Sequence, residues 1–166
     1  LATPTLAGGL GMPGGRLGAA ALEALHAGKQ DAVSRAVRGA INDLVALDLR
    51  LPRDGQRRIQ PYQPAPGVDY AAAGGFGASL AMVAQAAKLH PGLVAAQVDL
   101  GGWDTHEGQG WRIQGLIRQL SRGLAALDAD LDGLGRRWTV LVMSEFGRRL
   151  RANASGGTDH GRAGTM

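Results

Sequence analysis

Two short segments of the sequence each carry an aspartate beside a histidine. Asp104 and His106 are two residues apart, so in extended backbone both side chains project to the same side. Asp159 and His160 are adjacent, and the glycines around them permit the bend that would let both side chains bind one ion. Carboxylate oxygens and neutral imidazole nitrogens are ligands that zinc and manganese accept. If the two segments meet in the fold, the sequence predicts a metal centre formed by these four side chains.

Each pair also has an ordinary structural explanation. Asp104 could cap the helix that follows it, and His106 could be a surface histidine. Asp159 and His160 could form an exposed turn. Because both pairs occur in loops that follow two predicted neighbouring strands, we favour the metal centre over these explanations.

Other charged residues lie close to these pairs in the sequence. Glu145 could replace one of the predicted metal ligands. Glu107 could act as a general acid or base beside the metal, or could simply favour the start of the next helix. Arg148 and Arg162 each offer a guanidinium fork that suits a tetrahedral anion, and each could equally be a solvated surface residue. We therefore predict Glu107, Arg148 and Arg162 as candidate catalytic residues.

The elements that must position these residues are two predicted strands and a long helix. Residues 93–100 and 138–143 are mostly apolar runs of strand length, as in strands buried on both faces. Between them, leucine and isoleucine recur every three or four residues from Ile113 to Leu134, which predicts a helix. A strand, helix and parallel strand form a right-handed crossover, with the carboxyl ends of both strands at one edge of the sheet. We therefore expect an α/β fold, a mostly parallel sheet flanked by helices, with the site at that edge.

The remainder of the chain divides into three predicted parts of a single domain. Residues 1–30 are rich in glycine and predict an arm or lid. Residues 31–69 predict a helix over 31–48 and then a proline-rich loop, and residues 70–166 hold the strand-helix-strand core after a helix over 75–89. The chain starts without methionine and stops just after a glycine-rich stretch, so we expect a partial domain truncated at both ends.

Composition limits the possible partners. With 45% hydrophobic and 19% charged residues, the chain has the composition of a soluble globular protein. Its net charge of +4 suits an anionic partner, whether a phosphate or sulfate ester, nucleic acid or a membrane surface, and does not choose among them. Its arginines are scattered in pairs rather than clustered, so we expect no nucleic-acid partner. Without cysteine, disulfides and thiolate zinc sites are excluded. No apolar run reaches the roughly 18 residues that a membrane helix needs, so we expect no membrane span.

Three stretches of the sequence carry a family resemblance. They are Gly-Gly-Trp-Asp-Thr-His at 101–106, Ser-Glu-Phe-Gly-Arg-Arg at 144–149 and Gly-Thr-Asp-His-Gly-Arg-Ala at 157–163. With these motifs the chain resembles the domain-of-unknown-function family 1501, within the alkaline phosphatase, phosphoglycerate mutase and sulfatase superfamily. The resemblance covers residues 70–166 well and the first 70 residues only loosely.

The resemblance implies an alkaline-phosphatase-like core that binds two divalent metal ions, drawn from zinc, manganese, calcium or magnesium, and hydrolyses a small anionic phosphate or sulfate ester. By this resemblance, Asp104 and His106 would bind one metal ion, and Asp159 and His160 the other. The first pair is more closely spaced here than in the superfamily phosphatases. A metal-binding Asp and a Ser or Thr nucleophile, which relatives supply from an N-terminal segment, have no counterpart in this sequence.

Two functions remain open from the sequence. The first is a fragment of a metal-dependent hydrolase of phosphate or sulfate esters, inactive on its own. The alternative is a non-catalytic metal- or anion-binding module for structure or interaction that keeps the same fold. By resemblance we also expect export to the periplasm through a twin-arginine signal, which this sequence does not contain.

Overall fold

Four α-helices are the main elements of the part of the chain that the computed structural model describes, residues 15–90 and 92–164. They are α1 (Gly15–His26), α2 (Ala32–Arg50), α3 (Gly74–Leu89) and α4 (Gln109–Leu131). Two short strands follow, β1 (Gly147–Arg148) and β2 (His160–Gly161), and they pair antiparallel with Arg148 opposite His160. None of the helices in these two ranges is long and apolar enough to cross a membrane.

The predicted α/β fold with a mostly parallel sheet is wrong. Within the described residues the sheet consists of β1 and β2 alone, and residues 93–100 and 138–143 form no strand. A strand requires a neighbouring backbone to pair with, and among the described residues these segments make only one backbone hydrogen bond to the rest of the chain, the local bond from Leu93 to His90 (3.0 Å). Both segments are exposed, with Val94 96% and Met143 71% accessible. Their apolar composition predicted strands but could not supply the partner that a strand needs.

The first two helices pack against each other. The helix predicted over 31–48 is confirmed as α2, which begins where Asp31 accepts hydrogen bonds from the backbone nitrogen and hydroxyl of Ser34, at 2.9 and 2.6 Å. It ends before Leu51, whose extended backbone is the conformation that the following Pro52 favours. Helix α1 occupies part of the predicted glycine-rich arm, and residues 1–14 of that arm lie outside the described residues.

Helices α3 and α4 form the centre of the molecule and confirm the two predicted helices, although α4 ends at Leu131, before the predicted end at Leu134. Gly123 of α4 lets the two helices approach closely, since a Cβ atom there would lie 2.7 Å from the ring of Phe76. The buried residues between the helices and the preceding loop are Tyr70, Leu80, Ala84, Ala126, Leu127 and Leu131.

A buried carboxylate ties the proline-rich loop to both central helices. Asp130 of α4 accepts hydrogen bonds from Tyr62 (2.6 Å), Tyr70 (3.0 Å) and the backbone nitrogen of Ala65 (2.7 Å), and its other contact is an ion pair with Lys88 of α3 (2.5 Å). Burial alone would raise the pKa of Asp130, but the bonds from Lys88, Tyr62, Ala65 and Tyr70 outweigh it and lower that pKa. Burial and the nearby carboxylate raise the pKa of both tyrosines. The cluster therefore holds a charged aspartate inside the protein.

Candidate metal centre

Two loops meet beside the β1–β2 pair and bring the two Asp-His segments together. The first loop precedes α4 and the second joins β1 to β2. Backbone hydrogen bonds connect them: Gly108 donates to Ser155 (3.0 Å), Gln109 to Gly156 (2.9 Å) and Thr158 to Thr105 (3.3 Å). These loop contacts, rather than a parallel sheet, place the predicted site residues side by side.

Asp104, His106 and His160 form a group that could hold a metal ion. Each offers one ligand atom, and these atoms lie within 4.8 Å of one another. The Nε2 atoms of His160 and His106 lie 2.8 and 3.0 Å from the same oxygen, Oδ1 of Asp104. All three side chains are about half exposed, so an ion could enter from solvent. One carboxylate and two imidazoles with an open side match a zinc site that has three protein ligands and one free position.

The charge state of Asp104 suits a metal ligand. The hydrogen bond with His160 is the main cause that lowers the pKa of Asp104, and the nearby charges of His106, His160 and Arg148 lower it further. Asp104 is therefore an anion at neutral pH, as a ligand to a divalent cation must be.

Asp159 lies on the far side of the His106 ring from Asp104. Its Oδ1 atom is 3.2 Å from Nδ1 of His106 and accepts a hydrogen bond from Asn153 at 3.1 Å. The bond from Asn153 is the main cause that lowers the pKa of Asp159, followed by the bond with His106. The structure thus brings all four predicted side chains together. Their arrangement differs from the two predicted pairs, because His160 contacts Asp104 and His106 lies between the two carboxylates.

The guanidinium of Arg148 is held within the protein. It donates to the backbone oxygens of Trp103 (2.6 Å) and Thr158, and to Oδ1 of Asp104 at 3.2 Å. It also lies over the ring of Phe146, 4.8 Å from the centroid, and its side chain is 17% exposed. Arg148, a predicted catalytic residue, therefore makes its described contacts with the site itself and orients Asp104.

Three other predicted site residues do not belong to this group. Glu107 forms an isolated backbone bridge with Gly156, and Glu107, Glu145 and Arg162 are all exposed. Among the described residues, the group able to hold a metal ion does not include Glu107 or Glu145.

The sequence did not reveal two residues that shape the site. Phe146 stacks on the ring of His160, with centroids 4.7 Å apart and planes 9° from parallel. Asn153 donates to the backbone oxygen of His106 at 2.8 Å as well as to Asp159. Phe146 lies in the motif at 144–149, and Asn153 precedes a glycine pair typical of turns, but their partners become visible only in the fold.

Comparison with known families covers all of these residues. A family model described as a protein of unknown function, DUF1501, matches residues 24–166. Neither a curated protein nor a solved structure matches the chain. The family match spans most of the chain and both Asp-His segments. The chain therefore belongs to the DUF1501 family of proteins of unknown function.

Proposed function

We propose that this chain carries the metal centre of a hydrolase that acts on phosphate or sulfate esters, and that its family falls within the alkaline phosphatase, phosphoglycerate mutase and sulfatase superfamily. The observation that supports the metal centre is the convergence of one carboxylate oxygen and two imidazole nitrogens within 4.8 Å. The support for the superfamily is the resemblance of the three sequence motifs.

Asp104, His106 and His160 would hold the metal ion. Two nitrogen donors favour zinc or manganese over calcium and magnesium, which prefer all-oxygen sites. A bound cation would supply Lewis acidity and neutralise charge that develops on the ester oxygens. Arg148, through its bond to Asp104, keeps the carboxylate directed at the same point as the two imidazoles.

The surroundings of the metal centre suit an anionic substrate. Arg149 is exposed, with Nη1 3.9 Å from Oδ2 of Asp159. Arg162, which directly follows β2, is also exposed. Guanidinium groups bind phosphate and sulfate oxygens through paired hydrogen bonds. The side chain of Glu107 is open to solvent near the same loop, where it could transfer a proton during hydrolysis.

A second candidate function is a non-catalytic metal- or anion-binding module. The observation that favours it is the position of Arg148, whose guanidinium contacts two backbone oxygens and Asp104. In this second candidate, the least exposed arginine of the site serves to stabilise the metal-binding loop rather than to contact a substrate.

The two candidates can be separated by measuring metal binding and hydrolysis in the same variants. Titration calorimetry with Zn²⁺ and Mn²⁺ would compare the wild type with Asp104→Ala and with Asp128→Ala, a control at an exposed aspartate of α4. Loss of a ligand should weaken binding by more than about 100-fold, since even outer contacts of metal sites contribute roughly 10- to 100-fold. The control should bind as the wild type does.

Hydrolysis of 4-nitrophenyl phosphate and 4-nitrophenyl sulfate would then be followed in the metal-loaded proteins. Activity that Asp104→Ala removes and Asp128→Ala keeps would support the hydrolase. Metal binding without hydrolysis of either ester would favour the second candidate. Equal metal binding by the wild type and Asp104→Ala would show that the metal centre is wrongly placed.

A further inference from the structure

The two ring nitrogens of His106 face different carboxylates. Nε2 is directed at Asp104 and the open side of the group, and Nδ1 lies 3.2 Å from Oδ1 of Asp159. A neutral imidazole has one N–H and one lone pair. If the lone pair of Nε2 binds a metal ion, the proton must reside on Nδ1, where Asp159 can accept it.

One side-chain amide holds both members of this hydrogen bond. The Nδ2 atom of Asn153 donates to Oδ1 of Asp159 at 3.1 Å and to the backbone oxygen of His106 at 2.8 Å. The Oδ1 atom of Asn153 accepts from the backbone nitrogens of Ser155 and Gly157, both at 3.0 Å. These two backbone donors fix which end of the amide faces the metal centre, because only the nitrogen can donate to the two oxygens.

We propose that Asn153 is a positioning residue of the metal centre, which holds Asp159 against Nδ1 of His106 so that the lone pair of Nε2 is the one presented to the ion. This inference rests on the proposed function, because it requires that Asp104, His106 and His160 bind a metal. It assigns Asp159 to the outer layer of the site, as the acceptor for Nδ1–H of His106, rather than to a second metal ion.

Asn153→Asp tests the donor role of the amide separately from its acceptor role. The variant keeps an oxygen for the backbone nitrogens of Ser155 and Gly157, but it places a carboxylate oxygen where Nδ2 donated. Asn42→Asp is the matched control, since Asn42 is an exposed asparagine on α2 and the change adds the same charge. An added negative charge by itself would attract a cation, so a weaker zinc affinity in Asn153→Asp would reflect displacement of Asp159, through the lost donor and the repulsion between the two carboxylates.

The experiment is titration calorimetry of each full chain with zinc chloride, together with NMR of the zinc-loaded proteins. Asn153→Asp should bind zinc roughly 10- to 100-fold more weakly than the wild type, and Asn42→Asp should bind equally well. In the wild type the Nδ1 proton of His106 should exchange slowly with solvent, and in Asn153→Asp it should exchange fast. The backbone amide protons of Ser155 and Gly157 should stay protected in both, which shows that the loop remains folded.

These measurements separate the role of Asn153 from metal binding itself. Suppose that the wild type binds zinc and that Asn153→Asp keeps both the zinc affinity and the slow exchange of the His106 Nδ1 proton. That result would overturn the role of Asn153 but not the proposed metal centre. Loss of protection at Ser155 and Gly157 in Asn153→Asp would overturn it also, because the amide would then serve the loop rather than His106. A wild type that binds neither zinc nor manganese would overturn both.

Discussion

The Nε2 atom of His160 lies 2.8 Å from Oδ1 of Asp104, although the two residues are 56 positions apart in the chain. The antiparallel pair that places Arg148 opposite His160 makes this contact possible, because Arg148 also reaches Asp104. The candidate metal centre therefore depends on the β1–β2 pair, which holds His160 and Arg148 beside the distant loop that carries Asp104.

Removal of His160 should abolish stabilisation by metal. A metal ion that binds only the folded chain stabilises it by about 2.7 kcal/mol at a free concentration 100 times its Kd. Zn²⁺ should therefore raise the Tm of the wild type but not of His160→Ala, and a chelator should reverse the rise. His90→Ala, at the end of α3, is the control and should respond to Zn²⁺ as the wild type does. The measurement is thermal unfolding by circular dichroism with and without Zn²⁺. An equal rise in His160→Ala would exclude this histidine as a ligand.

Replacement of Arg148 by lysine should weaken Zn²⁺ binding, although the positive charge is retained. The guanidinium fork reaches the backbone oxygens of Trp103 and Thr158 as well as Asp104, and an ammonium cannot serve all three directions. We expect Arg148→Lys to lower Zn²⁺ affinity about 10-fold, as the loss of an outer contact does. Arg149→Lys, at an exposed arginine, is the control and should change affinity little. Calorimetry of both variants checks this, and the prediction fails if the order is reversed.

Gly157 should not tolerate a side chain. A Cβ atom there would overlap the backbone carbonyl of His106, so the loop that carries Asp159 would have to move. Gly157→Ala should lower the free energy of unfolding by roughly 1 to 3 kcal/mol, and the displaced loop should weaken metal binding. Gly110→Ala on α4 has open space around its Cβ and should leave both quantities unchanged or slightly raise stability. Urea denaturation and zinc titration of the two variants would decide between these outcomes.

Asp130 should contribute stability that depends on pH. Its pKa in the folded protein is lowered below the unfolded value of about 3.9, so its stabilisation is present above that value and lost as pH falls through the folded pKa. At pH 6, Asp130→Asn should lower the free energy of unfolding by roughly 3 to 5 kcal/mol, because Lys88 is left without its buried partner.

Urea denaturation at pH 6 and pH 2.5 measures this dependence, with Asp128→Asn, an exposed change on the same helix, as the control. The difference between wild type and Asp130→Asn should shrink at pH 2.5, while the control stays close to the wild type at both values. A difference that does not depend on pH would contradict an ionised Asp130.

Local patterns predicted α2, α3 and α4, but they predicted an arm or lid where α1 lies and a parallel sheet that the described residues do not form. Asp31, Pro52 and the break at residues 90–92 mark helix ends by chemistry that acts within a few residues, so α2 and α3 follow from sequence. Residues 93–100 have the composition of a strand, but a strand also needs a partner, which no local pattern specifies. The predicted parallel sheet failed for this reason.

For the candidate site, likewise, the sequence predicted the residue types but not their contacts. The residue types of Asp104, His106, Asp159 and His160 predicted that they would act together, and the structure places them in contact. Which histidine faces which carboxylate depends on the β1–β2 register, so the predicted pairing could not be derived from spacing. Asn153 donates to His106 across 47 positions, a separation at which sequence alone gives no signal.

The same amide has a consequence for expression hosts that attach sugars. Asn153-Ala154-Ser155 matches the acceptor pattern for N-linked glycans, which are joined to the asparagine side-chain nitrogen. In the folded chain both hydrogens of that nitrogen are used, one toward His106 and one toward Asp159. A glycan on Asn153 would therefore prevent its hydrogen bonds to His106 and Asp159. Chains that fold before the glycosyltransferase acts should be secreted without a glycan at Asn153.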